Sequence, residues 1–266
     1  MASFSLLIST YNYPQALDLC LMSVFYQSVR PDEIIICDDG STVETEMVIK
    51  KHQANGGIPI VHVWQKDDGF KKAQILNKGI AKTKGDYIIQ IDGDLVLHKH
   101  FIKDHLNFRK KDFFTAGSRV ILSPDTTGNL IKNRSTDIKK YARKVRNFFN
   151  GLYVPGLHNF FSQLYKIRGK HKYHARGCNI AIWKNDILKI NGYNEDFTGW
   201  GMEDDELAIR LINAGVKKQF LKFGGITYHL YHKERSRDME QINLKRMQQS
   251  VEHKLVRTIK GVDQYL

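Results

Sequence analysis

Between residues 4 and 91 the chain alternates short, unbroken apolar runs with amphipathic stretches, and each apolar run stops at a polar, mostly acidic step. The runs at 4–9, 33–37, 58–64 and 87–91 read as strands. Residues 15–27 carry Leu17, Cys20, Leu21, Val24 and Phe25 at helical spacing, and 42–53 and 73–83 read as further helices. Strands that stay apolar along their whole length are those covered on both faces. Their alternation with helices of about a dozen residues makes a parallel α/β sheet. Ligands of such open sheets bind beyond the carboxyl ends of the strands. Thr10-Tyr11-Asn12, Asp38-Asp39-Gly40-Ser41, Asp67-Asp68-Gly69 and Asp92-Gly93-Asp94 all fall there, so one edge of the sheet is expected to gather the chemistry.

The second half is less regular. Residues 113–122 and 178–183 read as strands, and 219–230 as a strand kinked at Gly224-Gly225. Residues 203–214 form an amphipathic helix and 238–260 a long polar one. Residues 136–168 read as a basic, aromatic-rich helical insertion broken around Pro155-Gly156. With 266 residues, 42% of them hydrophobic, the chain can bury one large core. The expected organisation is one domain over 1–232, a nucleotide-binding half at about 1–98 and a second half at about 112–232, and a helical tail over 233–266. Charge is polarised. Residues 132–176 hold twelve Lys/Arg and one acid, Asp137, and so carry +11 of the net +13. Such a segment suits an anionic surface or polymer. Cys20, Cys37 and Cys178 are an odd set in apolar settings without close pairing, which fits buried thiols in a reducing cytoplasm. No apolar window reaches the length of a membrane span, and the N-terminus lacks a basic leader. The expectation is a soluble or membrane-peripheral protein.

Asp92 and Asp94 project to the same side of an extended chain, and Gly93 between them permits close approach of a ligand. Two carboxylates closing an apolar strand need a cation, and hard oxygen donors suit Mg²⁺ or Mn²⁺. Asp-Gly-Asp also occurs in ordinary turns, so the triplet alone decides nothing. Asp38 and Asp39 can accept hydrogen bonds from a base or ribose, or close a β-turn before the next helix. Lys71 and Lys72 precede a helix whose N-terminus favours anions. Trp200, between Gly199 and Gly201, is suited to stack on a sugar face, and a carboxylate after it can take a proton from a hydroxyl. Asn179 either orients such a hydroxyl or satisfies backbone groups. His229 or His232, at the end of the last core run, can complete a metal site with Asp94.

Taken in order, Ser9-Thr10-Tyr11-Asn12, Asp38-Asp39-Gly40-Ser41, Asp68-Gly69-Phe70-Lys71, Asp92-Gly93-Asp94, Gly177-Cys178-Asn179 and Gly199-Trp200-Gly201-Met202-Glu203-Asp204 resemble a family 2 glycosyltransferase of the GT-A fold. The resemblance covers about residues 3–232, and 199–206 is similar to the acceptor motif of galactosyltransferases and chondroitin-polymerase-like enzymes. It implies that Thr10, Tyr11, Asp38 and Asp39 hold the nucleoside, that Lys71 and Asn77 lie along the donor, and that Asp92 with Gly93 touches ribose or sugar. It assigns the metal, Mn²⁺ or Mg²⁺, to Asp94 with His229, or alternatively His232. It makes Asp204 the catalytic base and places Trp200, Glu203, Asp205 and Asn179 at the acceptor. Lys71 stands where the family often has Arg, which keeps the charge and loses the bidentate fork.

The implied reaction is inverting transfer from a nucleoside diphosphate sugar, a UDP-sugar by preference, to a glycan or glycolipid of a bacterial surface polysaccharide or lipopolysaccharide. The basic insertion is outside the resemblance. It is expected to meet an anionic membrane, on the inner face of the cytoplasmic membrane, or an anionic acceptor. A sugar-nucleotidyltransferase would need a Gly-rich, Arg-bearing loop after the first strand, and Ser9-Thr10-Tyr11-Asn12-Tyr13-Pro14 is not one. A non-catalytic module binding anionic glycan or nucleic acid through the basic segment is the competing reading. Specific nucleic-acid recognition is not expected, because nothing beyond charge points to it.

Overall fold

Strand β1 (Phe4–Thr10) is buried along its whole length because both its edges and both its faces are claimed. In the computed structural model, which describes residues 3–140, 145–154, 156–161, 164–233 and 236–266, β1 pairs in parallel with β2 (Glu33–Asp38) and β4 (Tyr87–Asp92). β2 pairs in parallel with β3 (Ile60–Trp64). Leu6 and Ile8 pack with Leu17, Leu21 and Val24 of α1 (Pro14–Phe25) on one face. Leu7 packs with Ile75, Leu76 and Ile80 of α3 (Lys72–Lys82) on the other. β1 and β2 thus lack alternation because neither face meets water, whereas the edge strand β3 is partly exposed. Helix α2 (Val43–Ala54) completes the first layer.

The seven-stranded sheet has the order β10-β6-β9-β4-β1-β2-β3. Its second half comprises β6 (Phe113–Ala116), β9 (Asn179–Trp183) and β10 (Lys217–Phe220). β9 runs antiparallel to both neighbours, while β10 is parallel to β6. A smaller sheet, ordered β5-β11-β7-β8, contains β5 (Leu95–Leu97), β7 (Val120–Leu122), β8 (Val145–Arg146) and β11 (Thr227–His229). Its register sets His229 opposite Leu95, and the Leu230 N–H donates to the Asp94 carbonyl at 2.9 Å. Residues distant in sequence therefore meet where the two sheets diverge.

The segments at 113–122 and 219–230, expected as single strands, are each divided between the two sheets. Three helices were not anticipated: α4 (Phe101–Phe108), α5 (Pro124–Lys132) and α7 (Lys184–Lys189). α5 carries a start signal nonetheless, with Pro124 in its first turn and Ser123 Oγ accepting from the Thr126 N–H at 3.2 Å.

The basic insertion is not a broken long helix. Among its described residues the only α-helix is α6 (Leu157–Phe161), beside β8 and short 3₁₀ turns. Asn147, Gly156, Lys166 and Gly169 adopt positive φ, which helices do not accommodate. Its aromatics dock singly instead, Phe161 on Phe223 with ring centroids 5.4 Å apart and Tyr165 on Phe220 at 5.2 Å. Phe149, Phe160 and Leu164 remain mostly exposed. Tyr141, Ala142, Arg143, Lys144, Pro155 and residues 162–163 lie outside the described residues.

Helix α8 (Glu203–Asn213) carries a fully buried Glu206–Arg210 pair, with Nε–Oε1 and NH2–Oε2 both at 2.8 Å. Ser250 of α9 (Glu240–Glu252) donates to Glu206 at 3.2 Å, so the polar tail helix is fastened to α8. It stops eight residues before the expected Lys260. Leu255 N–H folds back onto the Ser250 carbonyl, and a 3₁₀ turn at Val262–Tyr265 follows. No helix of the described residues is long and apolar enough to cross a membrane.

Candidate active site

The carboxyl ends of β1 and β4 lie side by side, with Ser9 in register with Asp92. Ser9 Oγ donates to Asp92 Oδ1 at 2.6 Å, and Lys72 Nζ, in the first turn of α3, reaches the same oxygen at 2.8 Å. Burial opposes the charge on Lys72, but Asp92, Asp204 and Glu203 outweigh it and hold the ammonium pKa well above its ordinary value. Lys72 is therefore a cation shared by Asp92 and the Glu203–Asp204 pair, in a site with two centres.

The first centre is Asp94 with His229 and His232. Nε2 of His229 lies 3.4 Å, and Nε2 of His232 3.2 Å, from Asp94 Oδ2. One candidate ligand atom from each residue falls within a 4.8 Å cluster. Among the described residues Asp94 Oδ1 is buried without a hydrogen-bond partner, a state that costs free energy unless something binds there. Burial first, against the raising effect of Asp94, leaves the His229 pKa below its ordinary value, and a neutral imidazole is the form that ligates metal. One carboxylate and two imidazoles fit Mn²⁺ well and Mg²⁺ less well. The sequence left a choice between the two histidines, and the structure brings both to Asp94.

The second centre opens α8. Asp204 Oδ2 accepts from the Gly177 N–H at 2.7 Å, and Tyr193 OH stands 3.4 Å from Oδ1. A Cβ on residue 177 would collide with Asp204, so only glycine presents this N–H so closely. Gln90 holds Tyr193 OH at 2.8 Å and the Gly177 carbonyl at 3.1 Å, joining the base region to β4. Burial and the neighbouring Asp204 push the Glu203 carboxyl up to about 7. Burial likewise raises Asp204, against Lys72 and the Gly177 N–H. Asp205 accepts from Ala175 N–H at 2.8 Å and lies 3.3 Å from His174 Nδ1. Trp200 is 38% exposed and shares a 320 Å³ cleft with Phe70, Gly199 and Met239.

Several expected ligands turn out to build the site instead. Asp38 is 1% exposed and spends its oxygens on the Ser41 N–H at 2.8 Å and His62 at 3.0 Å, which is the turn-closing alternative. Asp39 accepts from Gln65 Nε2 at 2.6 Å and the Lys71 N–H at 3.0 Å. The Lys71 ammonium pairs with Asp68 in its own loop, so Lys72, not Lys71, is the cation aimed inward. Asn77 is fully buried between the Tyr193 backbone and Glu195 and does not lie along a donor. Asn179 is fully buried too: its amide donates to the Ser118 and Gly225 carbonyls at 2.8 and 2.9 Å, and Oδ1 meets His105. It has nothing left for an acceptor hydroxyl. Gly93 approaches β1 rather than a ligand, since a Cβ there would lie 3.1 Å from the Ser9 carbonyl. Thr10 and Tyr11 do line the loop above β1, with Tyr11 OH donating to Asp67 at 2.9 Å. The sequence reading missed Tyr193 and Gln90, and named Lys72 but placed its neighbour Lys71 along the donor. Of these only Lys72 carried a signal, its place in the motif beside Lys71.

The profile of glycosyl transferase family 2 matches residues 5–177, and that of the N-terminal domain of galactosyltransferase matches 158–233. The chain is 25% identical over 238 residues to a chondroitin synthase of Pasteurella multocida, covering 85% of this chain and 24% of that protein. It is 24% identical over 225 residues to a validoxylamine A glucosyltransferase of Streptomyces hygroscopicus, covering 80% and 48%. It therefore spans at most about half the length of these relatives. Among solved structures, S. aureus TarS 1-349 in complex with UDP-GlcNAc superposes with a TM-score of 0.66 at 13% identity, over 99% of this chain and 69% of that one. A mannosyltransferase of Pyrobaculum calidifontis in complex with GDP-Man and Mn²⁺ does so at 0.62 and 14% identity, over 98% and 66%. The mostly parallel sheet, the acid-tipped strands and the family 2 match over 5–177 lead to one conclusion: the chain belongs to glycosyl transferase family 2 and has the GT-A fold.

Proposed function

We propose that this protein is an inverting, metal-dependent glycosyltransferase. It transfers a sugar from a nucleoside diphosphate donor, UDP-linked by preference, to a glycan or glycolipid acceptor in bacterial surface polysaccharide or lipopolysaccharide synthesis. The observation that carries this is the Lys72 ammonium, 2.8 Å from the donor-side Asp92 and in the field of the base-side Asp204. Family membership, the polysaccharide synthases among the relatives and the UDP-GlcNAc of the TarS complex support it.

In this reading Thr10 and Tyr11, on a loop shaped by Asp38 and Asp39, line the nucleoside. Asp94, His229 and His232 would hold the divalent ion, whose contribution when bound would be positive charge at the diphosphate. Lys72 keeps Asp92 ionised at the donor sugar. Trp200 stacks on the acceptor, Glu203 and Asp205 orient it, and Asp204 takes the proton from its attacking hydroxyl. Gly177 N–H and Tyr193 fix the Asp204 carboxylate so that the attacking oxygen is met in one geometry.

The exposed Phe149, Phe160 and Leu164, set in a strongly basic segment, support peripheral attachment to the anionic inner face of the cytoplasmic membrane. A binding module without chemistry would give no work to the raised Glu203–Asp204 pair. Calorimetric titration with UDP, with and without Mn²⁺, tests the main reading. Mn²⁺-dependent binding that vanishes in Asp94→Ala is the expected result, and a folded protein that binds no nucleoside diphosphate would overturn it.

A further inference from the structure

Arg119 is a half-buried cation that none of these roles employs. It sits in the link between β6 of the large sheet and β7 of the small one, and that link is pinned on every side. Gly117 N–H donates to the Asn179 carbonyl at 2.8 Å, and the Ser118 carbonyl accepts from Asn179 at 2.8 Å and from Thr227 Oγ1 at 3.3 Å. The next two residues, Val120 and Ile121, pair with Tyr228 and the metal-side His229. Arg119 NH1 reaches Cys178 Sγ at 3.6 Å, and Cys178 adjoins the Gly177 that fixes Asp204. The guanidinium thus lies against Cys178 and in the field of Asp92 and Asp94, on backbone that has little freedom to move.

What it lacks there is an acceptor. A guanidinium offers five N–H donors and does not lose its charge in proteins. Among the described residues its one hydrogen-bond partner is the Cys178 thiol, a weak acceptor, and its Nε is buried without any. Its charge is balanced at a distance by Asp92 and Asp94. Yet Asp92 Oδ1 is already taken by Ser9 and Lys72, and Asp94 faces the two histidines. A divalent ion on Asp94 would remove half of that distant compensation. Ion and guanidinium would then form a pair of cations facing the same space, where a diphosphate with its two negative charges restores neutrality. The planar fork of Arg suits phosphate oxygens, which it can meet bidentately.

We propose that Arg119 is a donor-binding residue whose guanidinium contacts the diphosphate of the nucleotide sugar beside the metal cluster. The proposal rests on the glycosyltransferase reading and adds a second, protein-borne charge to the leaving-group site. It also implies that some diphosphate recognition persists without metal, through Arg119 alone.

The test compares UDP with uridine in the full chain, by calorimetry for UDP and ligand-observed NMR for uridine, in Mn²⁺ and in EDTA. Arg119→Met should weaken UDP binding in Mn²⁺ by about 10- to 100-fold, the cost of one charge-assisted contact. It should abolish residual UDP binding in EDTA and leave uridine binding unchanged. Arg119→Lys should recover part of the loss, and Cys178→Ser, which removes only the thiol, should bind UDP as the parent chain does. Arg119→Met that binds UDP at parental affinity, or that loses UDP and uridine in equal proportion, overturns the proposal. A parent chain that binds no UDP even with Mn²⁺ sinks the glycosyltransferase reading and this proposal together, an outcome distinct from failure of Arg119 alone.

Discussion

Asp204 is held by one backbone N–H and one tyrosine, so its replacement should separate binding from chemistry. Asp204→Asn is expected to lower kcat by about 10²- to 10⁴-fold, the usual contribution of a positioned general base, with UDP affinity in Mn²⁺ unchanged. Steady-state rates beside calorimetry check this. The Glu203–Asp204 pair also predicts a pH dependence. Both carboxyls are raised, Glu203 to about 7 by burial and by Asp204, so kcat/KM should climb as pH rises through neutrality and the pair loses its last proton. Glu203→Gln removes one of the competing charges and should move that limb to lower pH. The stability linkage has the same origin. A carboxyl raised from 4.5 in the unfolded chain to about 7 in the fold contributes stability below pH 4.5 that is lost as pH rises to 7. Urea melts across pH 5 to 8 should show that decline, flattened in Glu203→Gln. Asp94, Asp204 and the two histidines stand out as candidates in the sequence because each sits at a strand end or helix start with a distinctive neighbour. Tyr193, Gln90 and Arg119 do not, because their roles come from contacts across 59 to 103 residues that leave no local pattern.

At the scale of elements, Asn179 is the best discriminator between a ligand and a brace. It ties β9 to the link before β7, to the Gly225 turn before β11 and to His105 of α4. Asn179→Leu should therefore cost about 3 kcal/mol in urea unfolding, since it strands several buried partners. The acceptor KM of the surviving folded enzyme should stay unchanged. The same junction shows why the second half was hard to read. The runs at 113–122 and 219–230 look continuous, but each leaves one sheet and enters the other, and nothing in a single run marks that exchange. The first four strands were legible because each is closed by a polar, mostly acidic step and helices separate them. The insertion was misread because its aromatics recur at spacings a helix would use, whereas Gly156 and Gly169 at positive φ let them dock one by one.

At the scale of the whole molecule, charge and exposed apolar area coincide. Phe160 packs on Phe161 and Phe161 on Phe223, while the neighbouring Lys222 donates to the Phe149 carbonyl at 2.8 Å, which ties the two aromatic stretches of the basic segment to one short loop. The protein should sediment with vesicles containing anionic lipid and not with neutral ones, with binding that weakens as salt rises. A Phe149→Ser, Phe160→Ser, Leu164→Ser triple variant should lose sedimentation while keeping UDP affinity, and equal binding of parent and variant would count against the membrane reading. The pairing of β11 with β5 has a further consequence. Asp94 is made early in translation, but its partners His229 and His232 arrive 135 and 138 residues later. The nucleotide-binding half can emerge from the ribosome and pack β1 to β4 while the ion cluster is still missing two of its three members. On the proposed reading, a nascent or interrupted chain would lack the complete ion cluster, so turnover of donor would wait until residues 229 to 232 are in place.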